Sequence, residues 1–267
     1  MLKNKFTHSK TIHLTQIRNA TIQLEYAGKK ILIDPMLAKK GAYPGFEGTV
    51  NSELRNPLVE LPFEISRILD VDAIVVTHLH PDHWDEEAQK VIPKNKLIFA
   101  QDANDTKTLK SQGFSNVVTL TENTHWEGMT LIKTKGQHGT DDTMKSFGEI
   151  LGMVSGVVFT HPKEKTVYLA GDTIMNKYVE EILEKHNPQL VILNAGAAVV
   201  KGFPPIIMGK EDVLAVVKKA PNAKIIATHM EAVNHATLSR VELRSFLEEN
   251  KVISNVDIPQ DGQSLSF

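Results

Sequence analysis

Ala73-Ile74-Val75-Val76-Thr77-His78-Leu79-His80-Pro81-Asp82-His83-Trp84-Asp85 is the stretch on which the fold turns. Ala73 to Val76 are apolar and mostly β-branched, the composition of a short buried strand. His78, His80, Asp82 and His83 then follow within six positions. In extended chain, side chains two apart point the same way, so His78 and His80 share a face. Pro81 rules out a regular helix and turns the chain, which lets Asp82 and His83 approach from another side. Imidazole nitrogen and carboxylate oxygen are ligands that zinc accepts and that manganese and iron tolerate. Four such donors directly after a buried strand point to metal binding. Their spacing leaves open whether one ion or two are held.

Composition narrows the frame. The 267 residues are 41% hydrophobic and 23% charged, which suits a globular protein of one large or two small domains. A net charge of −2 gives no basic footprint for nucleic acid. Without cysteine, disulfides are excluded and any ion must be held by nitrogen and oxygen. Met1 to Lys10 lack the apolar run of a signal peptide, and the apolar runs near 150–159 and 190–200 are too short to span a bilayer. A cytoplasmic location, no membrane and a small-molecule partner are the resulting expectations, with a homo-oligomer left open.

Working outward, Thr11–Ile17 and Thr21–Tyr26 alternate apolar and polar residues as paired strands do. Ala27-Gly28-Lys29 turns the chain into Lys30–Ile33, which ends at Asp34-Pro35. Residues 36–65 are rich in Gly, Pro and Asn without a clear period, and so form a candidate substrate-covering loop. Beyond the histidines, Asp85 caps a short helix through Val91. Leu97–Ala100 is a strand, Asp102–Gln112 a helix stopped by Gly113, and Asn116–Leu120 and Met129–Lys135 are strands. Glu149–Thr160 and Thr166–Ala170 read as a hairpin. Helices at Asn176–His186, Lys210–Lys219 and from Ser239 to about Asn250 then alternate with strands at Leu190–Leu193 and Lys224–Ala227. Two short strands finish the chain. No linker or repeat divides it, so a single domain over 1–267 is expected.

A pattern recurs at the strand ends. Ala73–Val76, Met129–Lys135, Thr166–Ala170 and Lys224–Ala227 are each followed closely by His or Asp: the first cluster, then His138, Asp172 and His229. Ligand sites of α/β proteins gather at the carboxyl ends of strands. Alone, each distal residue is an ordinary turn or surface residue; their shared position makes them candidates.

These motifs, in this order, resemble the metallo-β-lactamase superfamily of metal-dependent hydrolases. The match is to its His-X-His-X-Asp-His motif (His78, His80, Asp82, His83), with Asp34 after a strand, His138, Asp172 in Gly-Asp-Thr, and His229. The likeness runs from about residue 11 to the end, and the layout is most similar to the ascorbate-6-phosphate lactonase-like branch. It implies an αβ/βα sandwich in four layers, two mixed sheets flanked by helices. It implies two divalent ions, zinc by preference, with manganese, iron or nickel as alternatives. His78, His80 and His138 would hold one, Asp82, His83 and His229 the other, with Asp172 between them and Asp34 orienting a ligand histidine.

The activity so implied is hydrolysis by a metal-activated hydroxide of a small ester, lactone or phosphorylated metabolite, with Asp82 orienting the nucleophile. Alternatives are a phosphodiesterase acting on nucleotides or lipid headgroups, and a metabolite-binding protein without turnover. His235 is a candidate to protonate a leaving group. Trp84 and Asn194 are candidates to wall the substrate pocket. Oxygen-reducing di-iron relatives carry an acidic residue where this chain has His80, which disfavours redox chemistry. A tRNA-processing arm would need more basic residues than Lys39, Lys40 and Arg55, the basic residues of the 36–65 loop.

Overall fold

The computed structural model describes residues 12–267; the N-terminal stretch to Lys10 and the first residue of the Thr11–Ile17 strand lie outside the described residues. The first sheet holds β1 (His13–Arg18), β2 (Thr21–Tyr26), β3 (Lys29–Ile33), β4 (Ala73–Val76), β5 (Leu97–Ala100) and β6 (Val117–Thr119), with β14 (Ser264–Ser266) added beside β1. The second holds β7 (Thr124–Trp126), β8 (Met129–Lys135), β9 (Ser155–Thr160), β10 (Val167–Leu169), β11 (Leu190–Asn194), β12 (Lys224–Thr228) and β13 (Val256–Asp257), in that order across the sheet. Each sheet is antiparallel at one side and parallel at the other: β3 to β6 run parallel in the first, β10 to β13 in the second.

Side-chain alternation explains the layers. Ile31, Ile33, Ala73 and Val75 point into a core shared with Leu131, Val157, Phe159 and Leu169 of the second sheet. Their neighbours Leu32, Ile74 and Val76 point the other way, into a layer closed by residues of α1 (Ile65–Ile68), α2 (Glu86–Val91) and α3 (Ala103–Ser111). Strands buried on both faces read as continuous apolar runs, as β4 does. The far face of the second sheet is covered by α5 (Lys177–His186), α6 (Lys210–Lys219) and α7 (Arg240–Glu249). The four-layer αβ/βα sandwich is therefore present.

Local chemistry sets the helix ends. Asp85 accepts from Ala88 N–H at 2.7 Å to start α2, Asn176 caps α5, and Ser239 accepts from Glu242 N–H at 3.1 Å to start α7. One expectation fails. Glu149–Thr160 is not a single strand: α4 (Asp141–Leu151) occupies its first residues, and β9 begins only at Ser155. Thr140 caps α4, and Asp141 and Asp142 open it at the positive end of its dipole. The apolar run from Ile150 to Val158 hid the boundary, which Gly152 makes with φ 61° and ψ −166°. Strand β7 also lacked a sequence signal.

The 36–65 loop contains no helix or long strand before α1. The buried Arg18 guanidinium donates to Met36 and Ala38 carbonyls (2.7 and 2.9 Å) and to Val59 (3.0 Å), fastening both ends of the loop to one cation.

Candidate metal centre and the cavity beside it

Strand β4 delivers Thr77 and His78 at its end. His138, Asp172 and His229 follow β8, β10 and β12. The first strand belongs to one sheet and the other three to the second, so the cluster straddles the sandwich. Within the second sheet these strands are not direct neighbours: β9 and β11 lie between them, roughly doubling the ~4.8 Å spacing of adjacent strands.

The seven side chains still converge. His78, His80 and His138 present ligand atoms within 4.8 Å of one another, as do His78, His83 and Asp172, and Asp82, His83 and His229. Asp172 touches both ends of the cluster. Its Oδ2 lies 3.2 Å from Nε2 of His138 and of His83, and its Oδ1 3.7 Å from Nε2 of His229. Asp82 Oδ2 lies 3.2 Å from His229 Nε2.

Two details test whether these residues suit a cation. His78 Nε2 is buried with no hydrogen-bond partner. His83 Nε2 and His229 Nε2 face each other at 3.1 Å, where at most one of the two can donate a proton. Buried imidazole nitrogens aimed at a common point, with carboxylate oxygens among them and no sulfur, form a donor set that fits a divalent ion.

A surrounding layer fixes each donor. Asp34 accepts from Thr77 N–H and Thr77 Oγ1 (both 2.7 Å) and from His83 Nδ1 (2.9 Å), leaving His83 Nε2 toward the cluster. The last carbonyls of α4 do the same for two other histidines. Leu151 accepts from His138 Nδ1 at 3.2 Å, and the Ile150 carbonyl lies 3.3 Å from His80 Nε2. Those carbonyls are ones a helix end leaves without partners of its own, and they are the negative pole of its dipole. Asn19, with φ 56°, donates to the Asp82 carbonyl (3.0 Å) while its own carbonyl accepts from His229 N–H (2.9 Å).

Trp84 and Asn194 require correction as pocket residues. Trp84 turns outward with the His83–Asp85 chain, packs edge-on to Phe114 at 5.4 Å and donates to Gln112 at 2.9 Å within the outer layer. Asn194, at the end of the intervening strand β11, is buried and donates to Asp172 Oδ1 at 2.6 Å. It holds a candidate ligand and is not among the residues lining the cavity beside the cluster. Thr77, Asn19 and the α4 carbonyls were missed. Thr77 adjoins the histidines and was open to suspicion; the others act through contacts no spacing encodes.

Burial and charge work against each other here. Burial alone would raise the Asp82 and Asp172 carboxyls, but His83 and His229 beside them hold both well below the usual carboxylate range. Burial alone would depress His83, yet the carboxylates of Asp172, Asp34 and Asp82 outweigh it and hold that imidazole well above its ordinary value. His78 and His80 are lowered by burial and by the neighbouring histidines. His235 is pushed down to about 4, chiefly by burial, so it is uncharged at neutral pH.

A cavity of about 350 Å³ opens beside the cluster, reached by His80, Asp82 and His235. Its other walls are largely apolar: Phe46, Phe147, Ile150, Leu151, Val200 and Ile206. No Lys or Arg is found among the described residues that line it. His235 meets the Phe46 ring edge-on at 5.0 Å, and its buried Nδ1 has no partner. A larger cavity, about 500 Å³ between Lys133, Gln137, Met144 and Tyr178, is lined by none of the seven donors.

Known proteins of similar sequence and shape carry the same theme. The beta-lactamase superfamily domain matches residues 29–230. UPF0173 protein YddR of Bacillus subtilis (strain 168) is 49% identical over 257 residues, 96% of this chain and 100% of its own. The crystal structure of an isothiocyanate hydrolase from Delia radicum gut bacteria is 48% identical with a TM-score of 0.93, covering 96% of this chain and 99% of that one. A protein described as a possible metal-dependent hydrolase from Veillonella parvula DSM 2008 is 42% identical with a TM-score of 0.94, covering 97% of this chain and 100% of that one.

Proposed function

The chain belongs to the beta-lactamase superfamily domain family and, within it, to the UPF0173 metal-dependent hydrolases, and from that premise we propose that it hydrolyses a small, uncharged, largely apolar electrophile, an isothiocyanate first among them. The observation that carries this reading is the cavity wall. It offers apolar surface, His235 and the carboxylates Asp82 and Glu47, with no Lys or Arg side chain to receive a phosphate. The same wall gives less support to a phosphorylated metabolite, to a nucleotide phosphodiester and to the ascorbate-6-phosphate lactonase-like placement. Esters and lactones, which present a similar electrophilic carbon, remain within its chemistry. The 48% identity to an isothiocyanate hydrolase favours the cumulated N=C=S group.

His78, His80, His138, Asp172, Asp82, His83 and His229 are the residues that would hold one or two divalent ions. Bound there, such ions supply a water acidified to near neutral pKa and a Lewis acid for the electrophile. The chain's own groups do the rest. Asp82, on both the cluster and the cavity wall, accepts the proton of the attacking water. His235, uncharged and packed against Phe46, donates a hydrogen bond to the nitrogen that becomes the leaving group. Phe147, Leu151, Val200 and Ile206 hold the organic substituent and exclude bulk water. In balance, R–N=C=S and one water give R–NH2 and carbonyl sulfide: carbon gains oxygen, the C–N bond breaks, and nitrogen takes both hydrogens.

The test is a side-by-side assay of protein loaded separately with zinc, manganese, iron or nickel, on benzyl isothiocyanate, p-nitrophenyl acetate, a simple lactone and bis-p-nitrophenyl phosphate. Isothiocyanate should be consumed with equimolar amine, and His80→Ala and Asp172→Ala should abolish this in folded protein. Cleavage of the phosphodiester with no effect on the isothiocyanate, ester or lactone would overturn the proposal. Tight binding of a metabolite with no turnover on the whole panel would return the non-catalytic reading.

A further inference from the structure

The cavity wall formed by Phe46 to Thr49 has no apolar footing. No residue of 43–56 belongs to any of the buried hydrophobic clusters among the described residues. Apart from the Phe46 ring against His235, the loop is held by hydrogen bonds, and one side chain gathers several of them. Asn234 is 1% exposed. Its Oδ1 accepts from Phe46 N–H (3.0 Å) and Asn56 Nδ2 (2.8 Å). Its Nδ2 donates to Thr49 Oγ1 and to the Val50 carbonyl, both at 2.8 Å. Its backbone N–H donates to Asn56 Oδ1 (2.8 Å), and its carbonyl accepts from Asn51 Nδ2 (3.2 Å). An asparagine amide offers two acceptor sites and two donors, and all four are used.

We propose that Asn234 is the positioning residue that fastens loop 43–56 to the 229–235 segment, so that Phe46 and Thr49 form a fixed wall that selects substrate by size. Two geometric facts make the link. Asn234 immediately precedes His235, and the Phe46 whose N–H it holds is the ring against which His235 packs. One amide thus sets the distance between the loop wall and the imidazole facing the substrate. Backbone bonds from Val50 N–H to Val199 (3.3 Å) and from Lys201 N–H to Gly48 (3.0 Å) attach the outer edge of the loop. At the inner edge, Leu58 N–H donates to the Ala232 carbonyl (2.8 Å) just beyond Asn56 and Glu87 N–H to Tyr43 Oη (3.3 Å), and Phe46 and Asn56 themselves are left to Asn234. The kinetic part of this inference rests on the hydrolase reading above; the clamp itself does not.

The experiment therefore has two independent readouts on metal-loaded Asn234→Ala and the milder Thr49→Val. The first is amide hydrogen exchange. Removing the side chain strands the buried Asn56 Nδ2 and frees the part-buried Phe46 N–H, so exchange across 43–56 should quicken by about tenfold or more, with other segments and bound metal unchanged. The second is the ratio of kcat/KM for methyl and benzyl isothiocyanate. Asn234→Ala should shift that ratio by about tenfold through KM for the benzyl compound, leaving kcat for the methyl compound near wild type. Thr49→Val should move both readouts the same way, less far. Unchanged exchange in 43–56, loosening spread over the whole molecule, or equal loss on both substrates would overturn the proposal. A wild-type protein inactive on isothiocyanates would fail the function reading alone, since the exchange result still decides the clamp.

Discussion

The two sides of the cavity are built on opposite plans. The loop side, 43–56, is a run of irregular backbone held by hydrogen bonds that converge on Asn234, with no part in an apolar cluster. The helix side, α4, rests on a small apolar cluster of its own. Met144, Phe147 and Leu151 pack with Phe203, Ala198, Val200 and Ile206, apart from the cores that hold the sheets together. The polar ties of its last turn run to His80 and His138, two of the candidate ligands. The difference teaches that one wall is fastened to the chain and the other to the metal centre. Both walls therefore face the substrate, but only the helix wall also orients candidate ligands.

The largest test of this contrast is to remove the metal. Chelation should lower turnover by at least about 10³-fold and quicken amide exchange in 141–153, while 43–56 keeps its protection. If both segments loosen alike, the contrast is wrong. Acid should act in the same direction. In ion-free protein Asp172, Asp34 and Asp82 hold His83 well above its ordinary pKa despite burial, so it gives up its proton to an incoming cation less readily than a free imidazole would. Cation affinity should then rise with pH, by up to about tenfold per unit, until His83 has lost its proton above the ordinary imidazole range, and calorimetry in buffers of different ionisation heat should show proton release. The protection of α4 should follow that affinity, and that of 43–56 should not.

Substitutions sharpen the helix side further. A Cβ on Gly152 meets nothing within 4 Å, but φ 61° with ψ −166° is backbone that only glycine adopts readily. Gly152→Ala should therefore cost about 1–3 kcal/mol by denaturant titration and weaken metal retention through the displaced Leu151 and Ile150 carbonyls. Phe147→Ala removes a half-buried ring that meets Phe203 edge-on at 4.9 Å; it should cost about 1–2 kcal/mol, below the range for a fully buried ring, and raise KM for bulky substrates. Ile150 is 73% exposed, and Ile150→Ser should change stability by no more than about 0.5 kcal/mol.

Much of the fold was legible because burial writes itself into pattern. Strand β4 and helix α6 fall at the bounds their apolar runs predict, and Asp85 and Ser239 cap helices as their positions suggest. The convergence of His138, Asp172 and His229 on the first cluster was also foreseeable, from their shared place at strand ends together with the cluster itself and the family resemblance. What was hidden has a common cause. The α4 carbonyls, Asn19 and the Asn234 clamp act through backbone groups or across long sequence separations, such as that between Asn234 and Phe46. Backbone acceptors carry no residue identity, and a lone asparagine in a loop looks like any turn residue. Asn194 stands at a strand end, but position does not tell whether its amide faces a substrate or Asp172.

The absence of cysteine, first noticed as a limit on metal ligands, has another consequence. Heterocumulene carbons are attacked fastest by thiolates, the strongest nucleophiles that proteins ordinarily offer near neutral pH. An enzyme that admits isothiocyanates to its interior risks being thiocarbamoylated by them. This chain has no thiol for that adduct, so on the isothiocyanate reading proposed above it lacks the group such a reagent attacks fastest.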